Sequence, residues 1–374
     1  MSAKVIALVG AIVFFVGGTA LLSPHQAETE PTLSPTANIT IVDVTPTPTT
    51  TPKQSETETP PTPQKTTPTP SAPAVKNKPA TAPAQVVTPI KPAPTQAEFE
   101  ATAARLRSAL VNIYCLSGDP HIRSISGSGV IVDPRGIIVT NAHIAQYYLL
   151  ATDPAYDVSC TIRIGSPAQA AYDARLVFVS PAWISENAKL FGTPHPVGTG
   201  EHDVALLAIT GAKGNKTLPE QFSYLPLSNE DPFANEPVVV ASYAAQFLTS
   251  GEIHSALYPV VVFGSVTNIY TFVKTSVDVI TLLGSAAAQE GSSGGGIASG
   301  FGTLEGVITT STIEGTTAGR TLAGITASYI HRAYETESGE SYSTLLSRSP
   351  IESAARFAPQ IPPLRALIAA QISN

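Results

Sequence analysis

From about residue 110 onward, apolar residues come in short runs rather than at helical spacing. The runs are Val130–Val132, Ile137–Thr140, Leu176–Val179, Val204–Ile209, Val238–Ser242, Val260–Val266, Phe272–Val279, Gly306–Thr310 and Thr321–Ser328. Gly, Pro, Asn and Asp punctuate them, which predicts many short strands and an all-β barrel or sandwich. Asp133-Pro134-Arg135-Gly136 has turn chemistry, with proline pre-set for the second position, and joins two apolar runs as a hairpin. Ahead of the strands, Gln96–Asn112 reads as a helix, with Phe99, Ala103, Leu106 and Leu110 on one face. From about Ser328 to Asn374 the pattern is helix and loop, interrupted by Pro359–Pro363.

The first 95 residues show neither pattern. Val5–Leu22 is a run of 18 residues without a charge, preceded by Lys4. At about 1.5 Å of rise per residue, a helix of that length is near the lower limit for crossing a bilayer. We therefore expect residues 1–23 to be a signal anchor, with a cleaved signal peptide at Gly18-Thr19-Ala20 as the alternative. Residues 24–95 hold 17 of the 33 prolines and 18 threonines, and no Phe, Tyr or Trp. Such a segment cannot bury enough apolar surface to offset the entropy of ordering it, so it is expected to be a disordered, extended stalk. Either reading of the N-terminus exports the chain after residue 23. The expected localisation is extracytoplasmic and membrane-anchored, or secreted if the signal is cleaved. The remaining divisions are a β domain over 96–335 and a helical tail over 336–374.

The net charge of −7 is spread along the chain, and no Lys/Arg block has the footprint of a nucleic-acid site. The histidines show no metal-ligand spacing, and there is no nucleotide loop, so neither metal nor cofactor is expected. The two cysteines, Cys115 and Cys160, lie in no C-x-x-C pattern. In an exported domain they are expected to pair; otherwise they are two small core thiols.

Three local motifs carry the chemistry. The first runs from Gly127-Ser128-Gly129-Val130-Ile131-Val132 to Thr140-Asn141-Ala142-His143. The second is His202-Asp203-Val204-Ala205-Leu206-Leu207, and the third is Gly291-Ser292-Ser293-Gly294-Gly295-Gly296. The candidate residues stand 60 and then 90 apart on an all-β background. Together the motifs resemble the trypsin-like, chymotrypsin-clan serine peptidases, and the bacterial branch more than the digestive one, over residues 108–332. No PDZ-sized segment comes after the β region. The resemblance implies two six-stranded Greek-key β-barrels with flanking helices, and a catalytic triad of His143, Asp203 and Ser293. The backbone N–H groups of Gly291 and Ser293 would form an oxyanion hole. Acyl transfer needs a nucleophile, a base to take its proton and a group to orient the base, and these residue types supply the three.

The resemblance also places Ala287, Thr309 and Gly324 on the walls of the P1 pocket. Ala287 stands where trypsin-type members carry an acid, so cleavage after Lys or Arg is not expected, and small or medium apolar side chains are. Ser292 stands where digestive members carry the Asp that pairs with a freed N-terminus, so no activation by N-terminal processing is expected. The insertion between His143 and Asp203, including Tyr156–Cys160 and Trp183–Gly200, has no role assigned by sequence. The expected function is an exported serine endopeptidase acting as a monomer on proteins or peptides. The alternatives are an inactive binding module on a surface stalk and a structural envelope spacer.

Overall fold

The computed structural model describes residues 93–193, 198–273, 275–311, 316 and 319–372. The apolar run Val5–Leu22 and the Pro/Thr stalk lie outside the described residues. Among the described residues no helix is long and apolar enough to cross a membrane.

Thr95 and Glu98 open helix α1 (Gln96–Ala109) with a capping box, each side chain bonding the other's backbone N–H. The helix stops three residues short of the Asn112 that periodicity predicts. Leu110 turns extended and begins β1 (Leu110–Ser117), because the run Leu110–Cys115 finds a ladder partner in β2 (Ile125–Ile131), with Leu110 opposite Val130. β3 (Ile137–Thr140), β4 (Val158–Gly165), β5 (Ala168–Val179) and β6 (Ala205–Ala212) complete a closed barrel in the order β1-β2-β3-β6-β5-β4.

A second barrel uses β7 (Pro237–Ser242), β8 (Val260–Tyr270), β9 (Val279–Leu283), β10 (Gly296–Ser299), β11 (Leu304–Ser311) and β12 (Thr321–Thr326). Its order, β7-β8-β9-β12-β11-β10, repeats that of the first barrel, so the two share one topology although no sequence repeat is evident. The strand expected over Phe272–Val279 is corrected. Residues up to 278 form a turn held by the Asp278 side chain, which accepts from the N–H groups of Phe272 and Val273, and β9 begins only at Val279.

Helices are exchanged between the barrels. α1, at the start of the first barrel, packs on β7 and β10 of the second. α5 (Ala327–Ser338) leaves the second barrel, and the chain returns through α6 (Tyr342–Ser347), α7 (Pro350–Phe357) and α8 (Ile361–Ile372), with α7 lying on β5 and β6 of the first. α2 (Ala142–Ala151) and α3 (Pro181–Asn187) belong to the first barrel and both meet α8. A short α4 (Ser250–Ser255) precedes β8. Cys115 and Cys160 stand opposite each other on β1 and β4 and are disulfide-bonded.

Candidate active site

β3 delivers the chain to Asn141, whose extended backbone caps α2, so His143 lies in the first turn of a helix rather than at the end of a strand. Asp203 precedes β6. It comes after a tight turn in which His202 adopts a left-handed backbone (φ +59°), a region where histidine, with Asn and Asp, is enriched among non-glycine residues. Asp203 is buried at 3% exposure, and both carboxylate oxygens are used. Oδ1 accepts the His143 backbone N–H at 3.0 Å. Oδ2 lies 2.8 Å from His143 Nδ1 and accepts the Thr309 hydroxyl at 2.7 Å. Asn141 Nδ2 donates to the Asp203 carbonyl, and Gln146 Nε2 to that of His143. The imidazole is thus fixed by its backbone as well as by its ring.

Thr309 links this pair to the second barrel. Its hydroxyl holds Asp203, and its carbonyl accepts the Ser293 hydroxyl at 3.3 Å. That O–H···O distance is longer than the usual 2.5–3.0 Å, so the contact is weak. No hydrogen bond joins Ser293 Oγ to His143 among the described residues. Ser293 sits in the loop between β9 and β10, flanked by Gly291 (φ +86°) and Gly294 (φ +85°). Glycine is required at 294 for a second reason: a Cβ there would lie 1.9 Å from the Ser128 carbonyl oxygen.

The peptide units of this loop alternate. Carbonyls of Glu290, Gly291, Ser292 and Ser293 each accept one bond, from Ala245 N, Ser128 Oγ, Gly295 N and Ser128 N respectively. The N–H groups of Ser292 and Gly294 donate to Gln289 and Ile308 carbonyls. Those of Gly291 and Ser293 make no hydrogen bond among the described residues. Two N–H groups of one loop are therefore left for an acceptor from outside.

The other sequence-derived residues fall differently. Thr309 turns its hydroxyl to Asp203, a role that its assignment to the P1 wall did not anticipate. Ala287 is fully buried and packs with Ile297, Ile308 and Leu322 inside the second barrel. Gly324 abuts Ile297, whose Cδ1 would lie 2.4 Å from an added Cβ. Beside Ala287, the buried Arg320 guanidinium donates to the Ala288 carbonyl at 2.9 Å and to Gln246 Oε1 at 2.6 Å. Ser292 is buried and accepts the Ser242 hydroxyl at 3.0 Å.

Two features had no signal in the sequence. Trp183 of the insertion faces His143, with ring centroids 6.5 Å apart. Glu337 of α5 accepts the Ser180 hydroxyl and the Ala182 N–H at the start of α3, and lies 3.3 Å from His202 Nδ1. The same turn is held from α5 by Tyr329, whose hydroxyl accepts the His202 N–H at 2.8 Å. Burial pushes the Tyr329 phenol up to about 12, so it stays neutral. A cavity of about 440 Å³ lies beyond Glu337, between β5 and α5–α7, away from Ser293. No cluster of His, Cys, Asp and Glu able to hold a metal occurs among the described residues.

Residues 127–307 match the family model described as trypsin-like peptidase domain, a range that includes His143, Asp203 and Ser293. The two six-stranded barrels fit a trypsin-like peptidase fold. Among solved structures, the chain is similar to the Rv3671c protease of M. tuberculosis in its active form. The identity is 19%, over 67% of this chain and 91% of that one, with a TM-score of 0.42. An inactive form of that protease aligns at 18% identity, over 66% of this chain and 98% of that one, with a TM-score of 0.38. No curated protein matches. Thr309 bonds Asp203 and Ser293 directly and reaches His143 through Asp203, so its contacts link the three sequence motifs.

Proposed function

We propose that the protein is an exported serine endopeptidase in which Ser293 is the nucleophile, His143 the general base and Asp203 the group that orients it. The observation that carries this reading is the shared use of Asp203 by His143 and Thr309, with Ser293 bonded to the same threonine. Asp203 Oδ2 fixes the Nδ1–H tautomer of His143, which leaves Nε2 free to accept a proton. The Ser293 hydroxyl exchanges its weak bond to the Thr309 carbonyl for His143 Nε2 when substrate enters, since catalytic bonds of unliganded sites tighten in the complex. Ser293 Oγ then attacks the scissile carbonyl carbon as its proton passes to His143. The carbonyl oxygen becomes an oxyanion against the N–H groups of Gly291 and Ser293, a stabilisation of about 3–4 kcal/mol per donor. Collapse expels the amine, which takes the proton from His143, and leaves an acyl-enzyme that water hydrolyses by the same path.

Ser292 with Ser242 forms a neutral hydroxyl pair where an N-terminal amine would need a carboxylate, so the reading includes no activation by N-terminal processing. The buried Arg320 guanidinium sits beside Ala287 and Ala288, where a cationic P1 side chain would need a negative charge, which disfavours Lys or Arg at P1. Export and anchoring rest on the charge-free run Val5–Leu22.

The test is labelling of the full chain by a fluorophosphonate, repeated with Ser293→Ala. The expected outcome is labelling that disappears on substitution, with kcat on a peptide amide falling about 10⁶-fold. A folded wild-type protein that no probe labels would instead favour the binding-module reading.

A further inference from the structure

We propose that Ser128 is a positioning residue for the two oxyanion-binding N–H groups, reaching across from the first barrel to set the nucleophile loop of the second. The inference rests on the reading of Gly291 and Ser293 as oxyanion donors.

Ser128 is on β2, fully buried, in the Gly-Ser-Gly motif whose serine the triad does not use. Three of its polar groups are committed to fixed partners. Its N–H donates to the Ser293 carbonyl at 2.7 Å. Its hydroxyl donates to the Gly291 carbonyl at 2.8 Å and accepts the Tyr243 N–H at 2.9 Å. Its carbonyl accepts the Thr140 hydroxyl at 2.8 Å, which fixes β2 itself at this point.

A peptide unit is planar, so the Gly291 and Ser293 N–H groups take their direction from the Glu290 and Ser292 carbonyls, which Ala245 and Gly295 hold, while Ser128 holds the peptide unit between those two and the one after them. Of the four carbonyls held between Glu290 and Ser293, two are held by Ser128. The one at Gly291 has a side-chain donor, and its peptide unit lies between the two units that carry the candidate oxyanion N–H groups. Gly291 has no Cβ to limit its rotation, so the hydroxyl of Ser128 supplies the restraint that the residue itself lacks. Loss of that bond frees the Gly291–Ser292 peptide to turn. The N–H groups on either side then lose the geometry that makes them worth more to an oxyanion than to a ground-state carbonyl.

Ser128→Ala in the full chain removes the hydroxyl and keeps both backbone bonds. The readout is fluorophosphonate labelling as a function of probe concentration, which separates the maximal rate kinact from the half-saturating concentration KI. The expected result is a kinact about 100-fold lower, as for a misplacement on the order of 1 Å, with KI within about twofold. Ser242→Ala is the control, because it removes a buried hydroxyl bond to Ser292 without touching a loop carbonyl. It is expected to keep kinact within about threefold of wild type. A Ser128→Ala protein with wild-type kinact, or an equal loss in Ser242→Ala, overturns the proposal while leaving the triad standing. Failure of the triad reading shows separately, as wild-type labelling that survives Ser293→Ala.

Discussion

The two barrels have the same strand order but are finished differently. The first is covered: α2 and α7 lie over β4, β5 and β6, α3 and α8 pack against α2, and one continuous apolar core joins strands to helices. The second is barer. Its interior cluster is small, and β8 and β9 present Phe263, Tyr270 and Leu283 to solvent at 58%, 53% and 74% exposure. The proposed base and its orienting carboxylate stand on the covered barrel, in elements fixed by side-chain packing. The proposed nucleophile stands on the barer one, in a loop fixed almost entirely by hydrogen bonds to its peptide groups. Packing suits a group that must keep one orientation through the reaction. A hydrogen-bonded glycine loop suits one that must let a substrate backbone come close.

The sharpest way to break this comparison is Asp203→Asn. If the first barrel's task is to hold the tautomer of His143, kcat falls about 10⁴-fold while the site keeps its geometry. KM and the thermal midpoint stay near wild type, because the Asn oxygen still accepts the His143 backbone N–H while its amide nitrogen, in place of Oδ2, donates to the Thr309 hydroxyl and to a His143 ring now held in the wrong tautomer. A loss of the same size in substrate binding would mean that the carboxylate organises the substrate cleft instead.

A smaller effect tests whether covering helices help to set the site. Glu337 ties α5 to the head of α3 and to the turn before Asp203. Glu337→Ala leaves Ser180 and the Ala182 N–H without their acceptor, and kcat is expected to fall about tenfold through a shifted Asp203 turn. Glu337→Gln keeps an oxygen acceptor for Ser180 and is expected to recover most of that loss. Equal loss in both variants would assign the effect to the negative charge near His202 rather than to the brace.

Much of the candidate site was legible because its chemistry is local. His143, Asp203 and Ser293 each sit in a short motif whose neighbours explain the turn they make. Strand runs were legible where one face is apolar, as in Ile137–Thr140, which is β3 as expected. The rest depends on partners far away in sequence. β1 was hidden under the tail of a helical pattern, because Leu110 satisfies both periods until β2 claims it. The bond from the Thr309 hydroxyl to Asp203 joins positions 106 apart in sequence. The burial of Ala287 and the close packing of Gly324 against Ile297 are visible only in three dimensions. Glu337 lies in an ordinary polar helix turn, 134 residues after the Asp203 (337 − 203) whose turn it braces.

The smallest effect concerns stability, and it asks what the barer barrel tolerates. Glu305 on β11 is buried at 4% exposure, with its Oε1 accepting the Thr303 hydroxyl at 2.8 Å. Burial pushes its carboxyl above the ordinary range, the charge of Glu230 adds to this, and bonds from Thr303, Ser299 and Ser228 only partly oppose it. The folded state therefore holds this proton more tightly than the unfolded chain does. Stability from this group rises as pH falls through the raised value, and the penalty of a buried charge is in full force above it. Glu305→Gln is expected to raise the thermal midpoint by about 2–3 °C at pH 8. The gain should shrink as pH is lowered and vanish below about pH 4, where both states of the wild type are protonated. A gain that is constant with pH would show that Gln simply packs better. A loss at pH 8 would show that the carboxylate is needed by its hydroxyl donors, making this barrel as dependent on buried polar bonds inside its wall as it is in its nucleophile loop.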